Sequence, residues 1–166
     1  VYRRLQRMFA GYRAGQTKPA AADGVGTLAV AVAWYGREYL AAGYLLDEMA
    51  EKPRPSLATE YFNTPWEWIV GEVRARTGPL AETVRKAEAA ADERRYREAL
   101  VAYEGIDAAA LADNDTGEFV KRRIVELRMR AQFEAGEWVD LLPDQTLRGW
   151  QVVSGTWSRE PDGWFH

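Results

Sequence analysis

The sequence predicts an all-α fold of stacked antiparallel helical hairpins, followed by a short C-terminal β segment. Three observations predict it. Through most of residues 1–142, apolar residues recur every three or four positions, the spacing that gathers side chains on one face of an α-helix. Short polar stretches such as Asp92, Glu93, Arg94 and Arg95 interrupt that spacing, and connections this short turn one helix back on the last. After Pro143 the chain changes to aromatic and β-branched residues punctuated by glycine, which is the chemistry of strands and turns.

In chain order, Leu5, Met8, Phe9 and Tyr12 mark one apolar helical face in residues 1–14, with arginines around it. Residues 15–26 hold Pro19 and three glycines and read as a loop. Residues 27–52 read as one long helix whose Ala31, Trp34, Tyr35, Leu40, Tyr44, Leu45 and Met49 cover more than one face, the mark of a central, buried element. Pro53 and Pro55 end it. A short helix around Leu57, Tyr61 and Phe62 follows. Thr64, Pro65, Trp66 and Glu67 then form a start signal: a capping hydroxyl, a proline suited to the first helical position, and an acid three residues after the cap. That helix turns Trp66, Ile69, Val70 and Val73 inward and stops near Thr77 and Gly78, with Pro79 opening the next.

Residues 79–142 hold the clearest hairpins. Ala87, Ala89, Ala90 and Ala91 are small enough for close helix contact, and Tyr96, Ala99, Leu100, Tyr103 and Ile106 recur at helical spacing after the polar turn. The phrase Tyr96, Ala99, Leu100, Tyr103 resembles the second helix of a tetratricopeptide repeat, in which an aromatic opens the helix, an alanine fits the partner and a second aromatic fills the groove. A second copy begins with the helical pattern of 119–135 and continues into Gly136, Glu137 and Trp138. Tyr96 and Trp138 stand 42 residues apart. The family period is about 34, so the excess falls in the loop-like stretch 107–116. Arg94 holds a turn position where the family uses glycine, Lys86 and Ala90 replace larger residues, and Pro143 cuts the second copy short. The resemblance implies a non-enzymatic scaffold that binds a protein or peptide, with Arg85, Arg123, Arg128, Arg130 and Trp68 as candidate contacts.

Asp115, Thr116, Gly117 and Glu118 offer a capping arrangement before Phe119. The helix beyond it places Val120, Ile124, Leu127 and Ala131 on one face and Lys121, Arg122, Arg128 and Arg130 mostly elsewhere, as a solvated surface. In the tail, Leu147, Gly149, Trp150, Gly155 and Trp157 resemble the opening of a laminin-G or concanavalin-like jelly roll of the three-keto-disaccharide hydrolase kind. The two resemblances together imply a helical-repeat domain over 1–142 and, over 143–166, the truncated start of a β domain or a tail. The jelly-roll resemblance also implies an alternative role, a spacer preceding a carbohydrate-active jelly roll. The first residue, Val1, points to a fragment of a longer protein.

Composition narrows the chemistry. A hydrophobic content of 47% over 166 residues is enough for a packed core. A net charge of -3 gives no concentrated positive field for nucleic acid, although residues 1–22 contain arginines and a lysine without an acid. The apolar run 28–35 is far shorter than the roughly 20 residues of a membrane span. The sequence has no cysteine and a single histidine, at its last position, which removes thiol nucleophiles, histidine-based triads and the usual zinc sites. Glycine-rich phosphate loops are absent, and no cofactor is expected. The pair Glu67 and Glu72, and the group Asp47, Glu48 and Glu51, read as surface acids rather than acid–base machinery. Trp34, Trp66, Trp68 and Trp138 read as packing aromatics, with Trp68 the most exposed because it stands two residues from Trp66 on the same helix. Partner identity, oligomeric state and compartment are not legible at this level.

Overall fold

A computed structural model describes residues 24–49, 52–107, 111 and 114–137, with the isolated positions 7, 10, 11 and 14. The main described elements are the helices α1 (Val25–Tyr35), α2 (Tyr39–Asp47), α3 (Pro55–Phe62), α4 (Trp66–Thr77), α5 (Ala81–Asp92), α6 (Tyr96–Glu104) and α7 (Asn114–Glu134). The expected all-α class holds for these residues. The amphipathic face of Leu5 to Tyr12, Trp138 of the second copy and the β segment over 143–166 lie outside the described residues. Among the described residues, no helix is long and apolar enough to cross a membrane.

The continuous helix expected over 27–52 is two helices. Arg37 takes the left-handed backbone conformation at φ 60°, which a right-handed helix cannot contain. The amide of Glu38 then donates to the Ala33 carbonyl at 2.9 Å and that of Arg37 to Trp34 at 2.8 Å, closing the last turn of α1. The break also changes burial: Tyr35, Leu40 and Tyr44, expected in a central helix, are 72%, 81% and 61% exposed. Ala42, Gly43 and Leu45 form the inward face of α2 instead.

Among the described residues that turn occurs three times. Arg94, at φ 61°, ends α5 with Arg95 N–H donating to Ala90 O at 2.8 Å and Arg94 N–H to Ala91 O at 3.0 Å. Gly136, at φ 70°, ends α7 with Glu137 N–H donating to Gln132 O and Gly136 N–H to Phe133 O, both at 3.0 Å. Arginine in this conformation costs roughly 1–2 kcal/mol, a strain that glycine at 136 escapes. In the first two copies the next helix opens on a tyrosine and packs against the helix before the turn, α2 against α1 and α6 against α5.

The start signal at Thr64 works differently from expectation. Asn63, left-handed at φ 50°, ends α3, and the Thr64 hydroxyl donates to the Phe62 carbonyl at 3.0 Å, satisfying one of the acceptors a helix end leaves open. Pro65 stays extended, and α4 begins at Trp66 without a side-chain cap. Likewise α5 opens at Ala81 rather than Pro79, and Asp115 to Glu118 lie inside the first turns of α7 rather than before it.

Two apolar cores result. The first joins Ala29, Val30 and Ala33 of α1 with Ala42 and Leu45 of α2, Ala58 of α3, and Trp66, Ile69 and Val73 of α4. The second joins Ala75, Leu80, Val84, Ala87 and Ala90 with Ala99 and Tyr103 of α6 and Phe119, Val120 and Leu127 of α7. The expected inward faces of α4, α6 and α7 are thus largely as the periodicity placed them. Helix α4 serves both cores, and it packs on α7 through Gly71: a Cβ there would stand 2.2 Å from the Asp115 carbonyl oxygen. Only glycine permits so close a backbone approach.

Candidate functional site

Polar side chains meet between the two cores in one connected network. From α4, the Glu72 carboxylate accepts from Trp34 Nε1 at 2.8 Å, from the Tyr39 hydroxyl at 3.1 Å and from Arg76 Nε at 2.9 Å. Arg76, one helical turn on, reaches Glu88 of α5 through Nη2 at 2.9 Å, and its guanidinium lies 4.4 Å from the Tyr39 ring centre. Glu88 is the hub: it accepts from the Tyr103 hydroxyl at 2.7 Å and from Arg123 Nε and Nη2 at 3.0 and 2.8 Å. Arg123 passes its third nitrogen to Glu126 at 2.5 Å, and Glu126 also holds Arg130 at 2.7 Å.

The position of these groups in the fold sets their proton affinities. Burial alone would push the Glu88 carboxyl up, but Arg123, the Tyr103 hydroxyl and Arg76 outweigh it and hold the group below the usual carboxylate range. Burial disfavours the charge on Arg123, and Glu88 and Glu126 more than restore it. The Tyr39 phenol is pushed up to about 12 by burial and by the neighbouring Glu72 carboxylate. Burial and Glu88 likewise raise the Tyr103 phenol. Glu88 therefore stays ionised and the Tyr39 and Tyr103 phenols neutral over the ordinary pH range. Among the described residues no buried side-chain nitrogen or oxygen lacks a hydrogen-bond partner, and no three potential metal-binding side chains converge. The network is a clasp between helices, with its carboxylates already engaged.

The five expected contact residues separate under this geometry. Arg123 is turned inward and committed to Glu88 and Glu126. Arg85 lies on the outer face of α5, held by Glu82 at 3.0 and 2.8 Å. Arg128 pairs with Glu104 across α6 and α7 at 2.7 Å. Arg130 joins Glu126 and stands 5.7 Å from the Tyr96 ring. Trp68 is half-buried, less open than expected, because the Arg122 guanidinium lies over its ring at 4.1 Å.

Arg122 was expected on a solvated face. It is half-buried instead, flanked by Trp68 and, at 6.0 Å, by Phe119, and no described carboxylate lies within ion-pair range of it. Burial lowers its proton affinity, and the more distant Glu72 and Glu126 offset part of that effect. Unlike Arg76 and Arg123, it forms no ion pair with a described carboxylate, and its guanidinium rests on an aromatic ring. A surface cavity of about 460 Å³ opens elsewhere, between the α5–α6 turn and the end of α7, lined by Arg94, Tyr96, Arg97, Ala131 and Glu134 among others.

Sequence reasoning missed Glu72, Arg76 and Glu88 as a unit. The spacing of Glu72 and Arg76 was a usable signal, since an acid and a base four apart share a helix face. Glu88 had none, standing in an alanine-rich helix whose partners are 12, 15 and 35 residues away. Comparison with family models, with curated proteins and with solved structures found nothing that matches this chain.

Proposed function

We propose that this chain is a non-enzymatic helical-repeat scaffold that binds a protein or peptide carrying an acidic side chain. The observation that carries this reading is the recurrence of one turn, with the same two backbone hydrogen bonds and the same left-handed residue, at Arg37, Arg94 and Gly136. A turn repeated in this way supports a reading as repeated helical hairpins, and arrays of such hairpins present extended surfaces to partners. Support for an acidic partner comes from the Arg122 guanidinium, which lies over Trp68 and forms no ion pair among the described residues. A charge-assisted bond from such a group to a carboxylate is about twice as strong as a neutral one. Arg85, Arg128 and Arg130 are the remaining outward arginines of the proposed surface, although each already shares an acid.

The test is selection from a displayed peptide library against the immobilised chain. The expected result is enrichment of peptides with an Asp or Glu, and loss of most of that binding in Arg122→Ala and Trp68→Ala. Binding that is untouched by alanine at Arg85, Arg122, Arg128 and Arg130 removes the reading. Arg123 is unsuitable for that series because its removal would disturb the clasp.

A further inference from the structure

The cavity between the α5–α6 turn and the end of α7 has a volume of about 460 Å³, within the range of small-molecule pockets and more than a bare inorganic ion fills. Three arginines, Arg94, Arg95 and Arg97, line it against two acids, Glu98 and Glu134. Arg95 is engaged within the protein: its Nε donates to Glu93 at 3.0 Å and its Nη1 to Glu98, so that group neutralises itself. Arg97 comes no nearer to a carboxylate than the 4.0 Å that separates it from Glu137, and its side chain is 78% exposed. Among the described residues Arg94 and Glu134 form no ion pair. Two weakly partnered guanidiniums therefore share one cavity, and Tyr96, Ala131 and Ala135 give it an apolar wall.

Arg94 also holds a strained backbone. Glycine fills the left-handed position of the turn without strain at 136, whereas Arg94 carries it at φ 61°. Strained positions of this kind gather at ligand sites, where the side chain is needed in spite of its backbone. Arg37 bears the same strain at φ 60° in the α1–α2 turn but does not line the cavity. The two arginines thus share a backbone cost and differ in what lies beside them. Donor count selects the anion. A carboxylate has two oxygens and one charge, which a single guanidinium satisfies in bidentate fashion. A phosphate monoester brings three acceptor oxygens and nearly two negative charges at neutral pH, the match for two guanidiniums.

We propose that this cavity binds a phosphate monoester with a small apolar body, the phosphate held by Arg94 and Arg97 and the body against Tyr96 and Ala131. The inference goes beyond the scaffold reading, since neither Arg94 nor Arg97 belongs to it. The full chain is titrated calorimetrically at low ionic strength with phenyl phosphate, with benzoate as a carboxylate of similar body, and with a phosphotyrosine peptide. Saturable binding of phenyl phosphate at millimolar concentration or below is expected, roughly tenfold or more tighter than that of benzoate. Arg94→Gly weakens it roughly tenfold or more, the loss of a charge-assisted bond, while raising Tm through relief of strain. Arg37→Gly raises Tm alike and leaves binding unchanged. Arg97→Ala, at an exposed helical position, also weakens binding, and Glu134→Gln tightens it because a like charge leaves the cavity. Either ester supports the shared chemistry: a peptide bound more tightly than phenyl phosphate identifies a phosphorylated protein as the source, and the opposite order a free small ester. No saturable binding of either ester, benzoate bound as tightly as phenyl phosphate, or full affinity in both Arg94→Gly and Arg97→Ala overturns the proposal. Arg122→Ala leaves phenyl phosphate binding intact, so failure of the peptide selection and failure of this titration are separate results.

Discussion

Replacing Gly71 by alanine tests the close approach of α4 to α7. At an ordinary helix position the change stabilises by about 1 kcal/mol, because glycine loses more backbone freedom on folding. At Gly71 the added carbon meets the Asp115 carbonyl oxygen at 2.2 Å and its carbon at 2.7 Å, both backbone atoms of α7. Relief needs α4 and α7 to part by roughly 1 Å, and a gap of that order forfeits a quarter to a half of each dispersion contact across the interface. With on the order of 40 atom pairs at about 0.15 kcal/mol each, the loss is about 1.5–3 kcal/mol, within the usual range for overpacking. After the helix-propensity gain, a net destabilisation of about 0.5–2 kcal/mol remains, a fall of roughly 1–8 °C in Tm for a chain of this size. Gly43→Ala is the milder comparison: the three atoms nearest its added carbon all belong to the Thr77 side chain, at 3.1–3.3 Å, and none is backbone. Thermal unfolding followed by circular dichroism should show Gly71→Ala well below the parent and Gly43→Ala within about 1 kcal/mol of it. A Gly71→Ala protein as stable as the parent, or more so, would refute the close-packing argument.

The repeated turn makes opposite predictions at its copies: Arg94→Gly should stabilise by about 1 kcal/mol and Gly136→Ala should destabilise by a similar amount, both read from urea midpoints. At the hub, Glu88→Gln should cost about 2–3 kcal/mol, less than the full loss of a deeply buried pair, since Glu88 and Arg123 are each 17% exposed. The Glu88 carboxyl binds its proton less readily when folded than when unfolded, so its stabilisation is present above the ordinary carboxylate pKa of about 4.3 and fades as pH falls through the lower folded value. The gap between parent and Glu88→Gln should therefore shrink in acid. A gap independent of pH would contradict the ionised hub. Tyr39 works in the opposite direction: its phenol is raised to about 12 when folded, so it contributes stability below about pH 10 that is lost as pH rises toward 12. A tyrosinate absorbance titration should lose one late phenol in Tyr39→Phe.

Periodicity made the helical class and the inward faces readable, because burial of Ile69, Val73, Leu127 and Ala99 follows directly from spacing along a helix. The break at Arg37 was hidden: nothing about an arginine announces a left-handed backbone, and Gly36 next to it has an ordinary φ of -75°. The turn is visible only once its hydrogen bonds align it with Arg94 and Gly136. The clasp was hidden for a different reason. Arg123 reads as one more surface arginine, and the acid that turns it inward sits 35 residues away. Arg122 was misplaced because a periodic pattern assigns a face to a residue without saying which neighbouring helix crosses there, and α4 brings Trp68 to that point.

Because α4 lends Ile69 to one core and Ala75 to the other, the two cores are not separable units of cooperativity. A truncation that begins at Pro79 would strip α7 of the helix seated at Gly71 and leave Arg123 and Glu88 without Arg76. Any dissection of this chain into smaller pieces has to carry residues 66–77 along with 79–137, since that helix is the shared wall of both compartments.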